Sequence, residues 1–385
     1  MKRYLLITLL LSVLAAPSFG QKPEPVHGFA RIEMPITFYK EQAVAWKKEL
    51  DKNPKNAKAW HYYYRASRNV ARRDTNDKRS IEEKANFLNS IVDKMAEEIP
   101  NSYEYNFIKW MQGGNNFKLL PYLKKAEELG PDRHEHIEDL LVWAESERDV
   151  ARRDQYAKRW LASGQFSSGM MSYNYNVLMS TPQNGILVTA GDNDTFPAWL
   201  LQSQGIRRDV TVINTSLIMI ESYRQALSRE LALPPMSLNM ESQESIDAFS
   251  KNLISQLAAN KKGYPVYVAL TTAGHETITQ SVENKLFLTG LGYLLSNEPV
   301  DNMAMMKQNF EKRFALDYVD HAFYPEISES GVKTINRNYE IPMLKLYEHY
   351  TLAGDESKKS WIREKLLTIS KGTPDEATIR QHLNP

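Results

Sequence analysis

From about residue 38 to residue 164 the apolar and aromatic positions recur every three or four residues, the spacing of one buried helix face. Short polar stretches interrupt that rhythm at NPKN (53–56), EIPNSYEYN (98–106) and ELGPDRHEHIED (128–139). Pro, Gly and Asn end helices there, so the pattern predicts a series of helices joined by tight turns. After Gly164 the period changes. SSGMMSYNYNVLMSTPQNG (167–185) reads as one more helix closed by a Pro-Gln-Asn-Gly turn. ILVTA (186–190) and VTVIN (210–214) are short β-branched runs, and such runs bounded by turn residues predict strands. Between them FPAWLLQSQGIRRD (196–209) predicts a single helix, with Pro197 near its start and Gly205 at its end. Strand, helix and strand in this order predict a parallel pair with a crossover. PVYVAL (265–270) predicts a third strand, after a helix near Ser242–Asn260, and LFLTGLGYLLS (286–296) adds one or two more. From Tyr339 onward the spacing is helical again, with a hairpin turning at Ala353–Gly354–Asp355.

A short self-match, RNVARRD at 68–74 and RDVARRD at 148–154, suggests repeated helical hairpins. The breaks are too uneven for a strict array, and the region resembles a degenerate tetratricopeptide-type solenoid, a stack that presents a binding surface. The expected layout is a leader at 1–20, a helical-repeat region at 21–165, a parallel α/β domain at 166–335 and a C-terminal helical hairpin at 336–385. In fold class it is α/β plus all-α.

The leader rests on MKRYLLITLLLSVLAAPSFGQ: two cations, an apolar run from Tyr4 to Ala16, then a small-residue exit before Gln21. That is the pattern of a secretory signal, and the run is shorter than the roughly 20 residues a membrane span needs. No other stretch approaches a span, so the expectation is an exported, soluble chain, periplasmic or secreted. The sequence has no Cys, which removes thiolate metal sites and cysteine catalysis; export permits disulfides without requiring them. Of 48 basic residues, Lys2 and Arg3 leave with the leader, so 46 face 47 acids, a net charge of −1. That balance argues against a nucleic-acid partner.

Candidate chemistry collects where the strands end. In an open α/β sheet, ligands bind beyond the carboxyl ends of the strands. Three polar turns fall there: GDNDTF (191–196), Asn214–Thr215–Ser216, and the run from Thr271 through His275 to Glu276. A positive φ at Gly191 would fold the chain sharply off its strand. Asp192 and Asp194 would then be close enough to share a hard cation, Mg²⁺, Mn²⁺ or Ca²⁺, with Asn193, Thr195, Asn214, Ser216, Thr271, His275 and Glu276 as further ligand contacts. The alternative is structural: Asp194 or Thr195 caps the next helix, and Asp192 and Asn193 are turn residues. Both readings stand on the sequence. Asp-x-Asp-x-Thr phosphatases of the haloacid dehalogenase type place their Thr one position later than Thr195, and the Asp-x-Asp of nucleotide-sugar transferases is too short to discriminate.

Other groups carry less. His275 and Glu276 could act as base and orienter, or simply cap a helix. His134 and His136 point to different helix faces, which disfavours zinc. Trp60, Tyr62, Tyr63 and Tyr64 read as core and groove lining of the helical stack, or as a sugar-stacking surface.

The run from YNYNVLMS through GDNDTFPAWLLQSQGIRRDVTVINTSLI resembles the soluble C-terminal portion of a bacterial family of multi-span membrane proteins of unassigned function, likened to protein O-mannosyltransferases. The resemblance rests on Gly191 to Pro197, Trp199, Gly205, Ile206, Arg207, Asp209 and Val210, and extends over roughly 170–365. It departs from the family at Ala198 and Thr289, and in having a leader and helical stack where the family has membrane spans. The resemblance implies the fold and an exported location, and carries over no catalytic residue. The expected function is a non-catalytic binding or accessory module of the cell envelope, beside membrane glycosylation or secretion machinery. Its expected partner is an envelope protein, with a glycan or sugar-phosphate as the small-molecule alternative. The competing class is a metal-dependent glycosyl or phosphoryl transferase or hydrolase using Asp192 and Asp194.

Overall fold

Helix boundaries in the first half follow local capping chemistry. The computed structural model describes residues 22–28, 32–114, 116–323 and 326–384, so the leader lies outside the described residues. Helix α1 (Ile36–Lys52) ends at the Pro54 turn, and α2 (Ala57–Arg73) begins where the Asn56 side chain accepts from the Ala59 amide. Helix α3 (Ile81–Glu98) opens on a reciprocal capping box: Glu83 N–H donates to Ser80 Oγ, and Ser80 N–H to Glu83 Oε2. Trp46, Trp60, Tyr64, Ile91, Met95 and Phe107 are buried, and burial of such side chains supplies about 1.5–3 kcal/mol each. Among the described residues, 22–26 and 34–108 form one compact unit, and 27–28, 32–33 and those from 109 onward form a second.

The second unit continues with α4 (Tyr103–Gly113), α5 (Leu120–Leu129), α6 (Ile137–Ser146), α7 (Val150–Ala162) and α8 (Ser168–Ser180), α4 beginning just before the division. The two copies of the self-match do not repeat structurally. RNVARRD closes α2, with Asp74 as its C-cap, whereas RDVARRD opens α7, with Asp149 as its N-cap.

Strand β1 (Ile186–Thr189) is buried along its whole length, as a central strand covered on both faces should be. Helix α9 (Asp192–Ser203) crosses from it to β2 (Thr211–Asn214), which pairs parallel with β1 from Ile186–Thr211 to Thr189–Asn214. Helices α10 (Glu221–Glu230) and α11 (Gln243–Ala258) lead to β3 (Val266–Ala269), parallel to β1 on its other side. Ser242 caps α11, close to where the sequence places that helix.

The parallel expectation holds for those three strands and fails for the rest. After α12 (Leu270–Ala273) and α13 (Glu276–Thr279), β4 (Leu286–Leu288) and β5 (Gly292–Leu295) form a hairpin, and β5 pairs antiparallel with β3. The sheet is therefore mixed, in the order β2-β1-β3-β5-β4. Gly292 permits this join. A Cβ there would stand 2.5 Å from the Tyr267 ring and from the Val268 carbonyl, so no larger residue fits β5 against β3 without a shift. The protein is thus mostly helical, with one small mixed five-stranded sheet.

Helices α14 (Asn302–Gln308), α15 (Asp317–Asp320) and α16 (Glu329–Asn336) follow, then α17 (Glu340–Ala353), α18 (Glu356–Ser370) and α19 (Glu376–Leu383). The α17–α18 hairpin turns where expected, with Gly354 at φ +67°, the left-handed cap that glycine takes without a Cβ clash. Among the described residues no helix is long and apolar enough to cross a membrane.

Candidate functional site

Because β1, β2 and β3 are parallel, their carboxyl ends share one rim, and the three polar turns meet there. GDNDTF is not a separate turn before the helix. Helix α9 begins at Asp192, so the motif is its first turn and Gly191 is the N-cap. Gly191 adopts φ −128° and ψ −173°, extended backbone open to any residue, so the expected positive φ is incorrect. The sharp departure from β1 is made by a side chain instead. Asp194, 3% exposed, reaches back to accept from the amides of Ala190 at 2.9 Å and Gly191 at 2.7 Å. It is the acidic half of a capping box; glycine has no side chain to supply the other half. The same carboxylate accepts from the Thr271 hydroxyl at the end of β3, tying the rim of β3 to that of β1.

Thr195 and Asn214 make the second tie. Asn214 Nδ2 donates to Thr195 Oγ1 at 3.0 Å, and Thr195 Oγ1 lies 2.7 Å from Thr189 Oγ1. Asn214 Oδ1 accepts from the amides of Ser216 at 2.8 Å and Leu217 at 3.1 Å, a side-chain-closed turn. Pro197 creates the need for a third. Lacking an N–H, it leaves the Asn193 carbonyl without its helical donor, and Asn174 Nδ2 of α8 donates to that carbonyl at 2.7 Å. Apart from the local Asn214 turn, these bonds hold one element to another.

The electrostatics follow from the crowding. Burial raises the Asp194 pKa above the usual carboxylate range, and the bonds from Thr271, Ala190 and Gly191 offset only part of that. Asp192 keeps an exposed face, yet crowding by the rim, and secondarily the Asp194 charge, push its carboxyl upward too.

The other expected site residues separate from this core. Ser216 is exposed and engaged through its amide. His275 is exposed on the turn after α12, its amide bonded to the Thr272 carbonyl at 2.9 Å. The Glu276 side chain lies outside the described residues, and its backbone opens α13. Among the described residues no group of three or more His, Asp or Glu side chains is placed to hold a metal ion. His136 is fully buried at the start of α6, and burial lowers its pKa to about 4.

Sequence reasoning missed a buried ionic network next to the sheet unit. Glu145, fully buried, accepts from Arg148, from Arg153 at 2.9 Å and from the Tyr223 hydroxyl at 3.0 Å. Asp154 joins Arg153 at 3.0 Å to Arg208 at 2.7 Å. The charge-dense RDVARRD run and the nearby Glu145 were the available signal; Tyr223 and Arg208, which complete the network, are distant in sequence.

Comparison with known proteins places the rim inside a family match. The model described as TMEM260-associated domain 2 matches residues 170–313, and that domain family has no assigned function and is linked to a membrane protein. The match contains GDNDTF, β1 to β5 and all of α14. A comparison with curated proteins finds no match. Among solved structures, a chain from "Structure of Naa15/Naa10 bound to HypK-THB" aligns at 12% identity, over 90% of this chain and 52% of that chain. The TM-score is 0.26, too low for a shared fold, and this chain spans about half of the other's length.

Proposed function

We propose that this protein is an exported, soluble, non-catalytic binding or accessory module of the bacterial cell envelope, working beside membrane glycosylation or secretion machinery. The observation that carries the non-catalytic reading is the bonding of Asp194. A catalytic or metal-binding carboxylate needs lone pairs aimed at its ligand, and this one turns them to two backbone amides and a threonine hydroxyl. Asp192 alone is a single exposed carboxylate, short of the roughly six to eight oxygen ligands of a Ca²⁺ site and at most a partial hold on a hydrated Mg²⁺. The location rests on the leader pattern, and the machinery on the family match to a domain linked to a membrane protein. In this reading the rim is a scaffold, and an envelope protein is the partner.

The test sets the module against the transferase or hydrolase that an Asp-x-Asp pair would serve. Purified protein is incubated with Mg²⁺ or Mn²⁺ and a panel of sugar nucleotides, polyprenyl sugar-phosphates and aryl phosphates. The expected result is no turnover above the buffer rate. Metal-dependent turnover that disappears in Asp192→Asn, with the fold retained by circular dichroism, overturns the proposal.

A further inference from the structure

The first compact unit carries a cleft with chemistry of its own. Residues Lys40, Ala43, Val44, Lys47, Lys48 and Asp51 recur along one face of α1, the spacing of a single helix stripe. Tyr63, Ser67 and Val70 do the same on α2, and Arg79 and Phe87 close the far side. Together they line an open cleft of about 540 Å³, within the size range of clefts that take a small ligand. The floor is apolar and aromatic, and Val44 remains 58% exposed although a core position would bury it. The rim holds four cations and one acid.

Those cations are partly neutralised. Lys40 pairs with Asp74 at 2.7 Å, Lys47 with Asp51, and Arg79 with Asp77 at 2.7 Å while lying 4.8 Å over the Phe87 ring. Among the described residues Lys48 pairs with no carboxylate, so four cations stand against three acids. Lys47, Asp51 and Lys48 are exposed, and exposed pairs are weak enough to exchange partners. A carboxylate arriving from outside can therefore take over Lys47 and reach Lys48 directly.

We propose that this cleft docks an acidic peptide segment of a partner protein, with one aromatic or leucine side chain seated on Val44, Tyr63, Val70 and Phe87 and flanking carboxylates on Lys47 and Lys48. The proposal rests on the binding-module reading and names the partner's chemistry. An anionic lipid surface fits less well, because the basic groups ring a concave apolar floor instead of forming a flat patch. Nucleic acid is disfavoured by a net charge near zero, +1 for the whole sequence and −1 without Lys2 and Arg3.

The experiment uses the full mature chain and fluorescein-labelled 12-residue peptides in four classes: acidic with one central Phe or Leu, acidic with Ala there, neutral with Phe, and basic with Phe. Fluorescence polarisation should show the acidic anchored class binding at least ten-fold more tightly than each other class, and weakening between 50 and 200 mM salt. Lys47→Glu combined with Lys48→Glu, and separately Val44→Asp, should each weaken binding at least ten-fold with an unchanged thermal melt; all three sites are exposed. No saturable binding in any class overturns the proposal. So do equal binding of the basic class, affinity unchanged by the charge reversals, or binding confined to anionic phospholipid vesicles. None of these outcomes touches the rim, whose reading is tested separately by metal-dependent turnover and by metal-dependent melting.

Discussion

The rim of the sheet and the cleft between α1, α2 and α3 are both rich in polar side chains, and they use them in opposite ways. At the rim, Asp194, Thr195, Asn214 and Thr271 bond to one another and to backbone, so their polarity is consumed in holding β1, β2 and β3 together. In the cleft the charged groups sit on exposed helix faces around an uncovered apolar floor. The denser motif is thus the structural one. A buried polar group is stabilising only when fully bonded, and a group already so bonded has little left for a ligand.

The largest effect that can break this comparison is at Asp194. Asp194→Ala leaves two amides and a hydroxyl at the rim without their acceptor, at about 1–3 kcal/mol per buried group and not fully additive. The expected loss is about 2–4 kcal/mol in urea unfolding. Asp194→Asn keeps one acceptor oxygen but turns an NH₂ toward a donor, so about 1–2 kcal/mol is expected. A variant as stable as wild type would mean that the carboxylate is held for a ligand after all.

Glu340 offers a contrast, because there burial leaves one carboxylate oxygen without a donor. It is 7% exposed, its Oε1 has no hydrogen-bond partner, and burial followed by the Asp375 charge raises its pKa to about 7 against the opposing Arg337. With the folded pKa above the ordinary 4.5, the folded state holds this proton more tightly than the unfolded chain. Its contribution is fully present below about pH 4.5 and is lost as pH rises through about 7. Glu340→Gln should therefore stabilise the protein by about 1–3 kcal/mol at pH 8 and change little at pH 4.5. Equal effects at both pH values would contradict the assignment.

Asp192→Asn should show the smallest effect. The side chain is exposed, and removing its charge relieves repulsion from Asp194 while giving up a favourable place in the first turn of α9. The two nearly cancel, within about 0.5 kcal/mol of wild type.

Local signals made much of the fold legible. Pro54, Ser80, Ser242 and Gly354 mark helix ends through their own backbone and side-chain chemistry, and the β-branched runs at 186–190 and 210–214 gave a parallel pair. The mixed sheet was not legible, since the antiparallel pairing of β5 with β3 brings Gly292 against Tyr267 across 25 residues of sequence. The start of α9 was misplaced for a related reason. Asp194 begins the helix by reaching back three and four residues, so a motif that reads as a turn is already helix. At the site, the sequence brought the correct strand ends together. The inward bonding of Asp194 to Ala190 and Gly191 is local and was among the alternatives, whereas its third donor, Thr271, lies 77 residues away and no local pattern carries it.

The most direct measurement is the melting temperature of the wild-type protein with chelator and with Mg²⁺, Mn²⁺ or Ca²⁺ in turn, beside Asp192→Asn. An ion at about 100 times its dissociation constant stabilises a folded protein by about 2.7 kcal/mol, a shift of several degrees for a chain of this size. The account predicts no ion-specific shift in either protein, because the rim's carboxylate is already occupied by the protein's own donors. A rise of several degrees in the wild type that is absent from Asp192→Asn would contradict it, and would make GDNDTF a metal site.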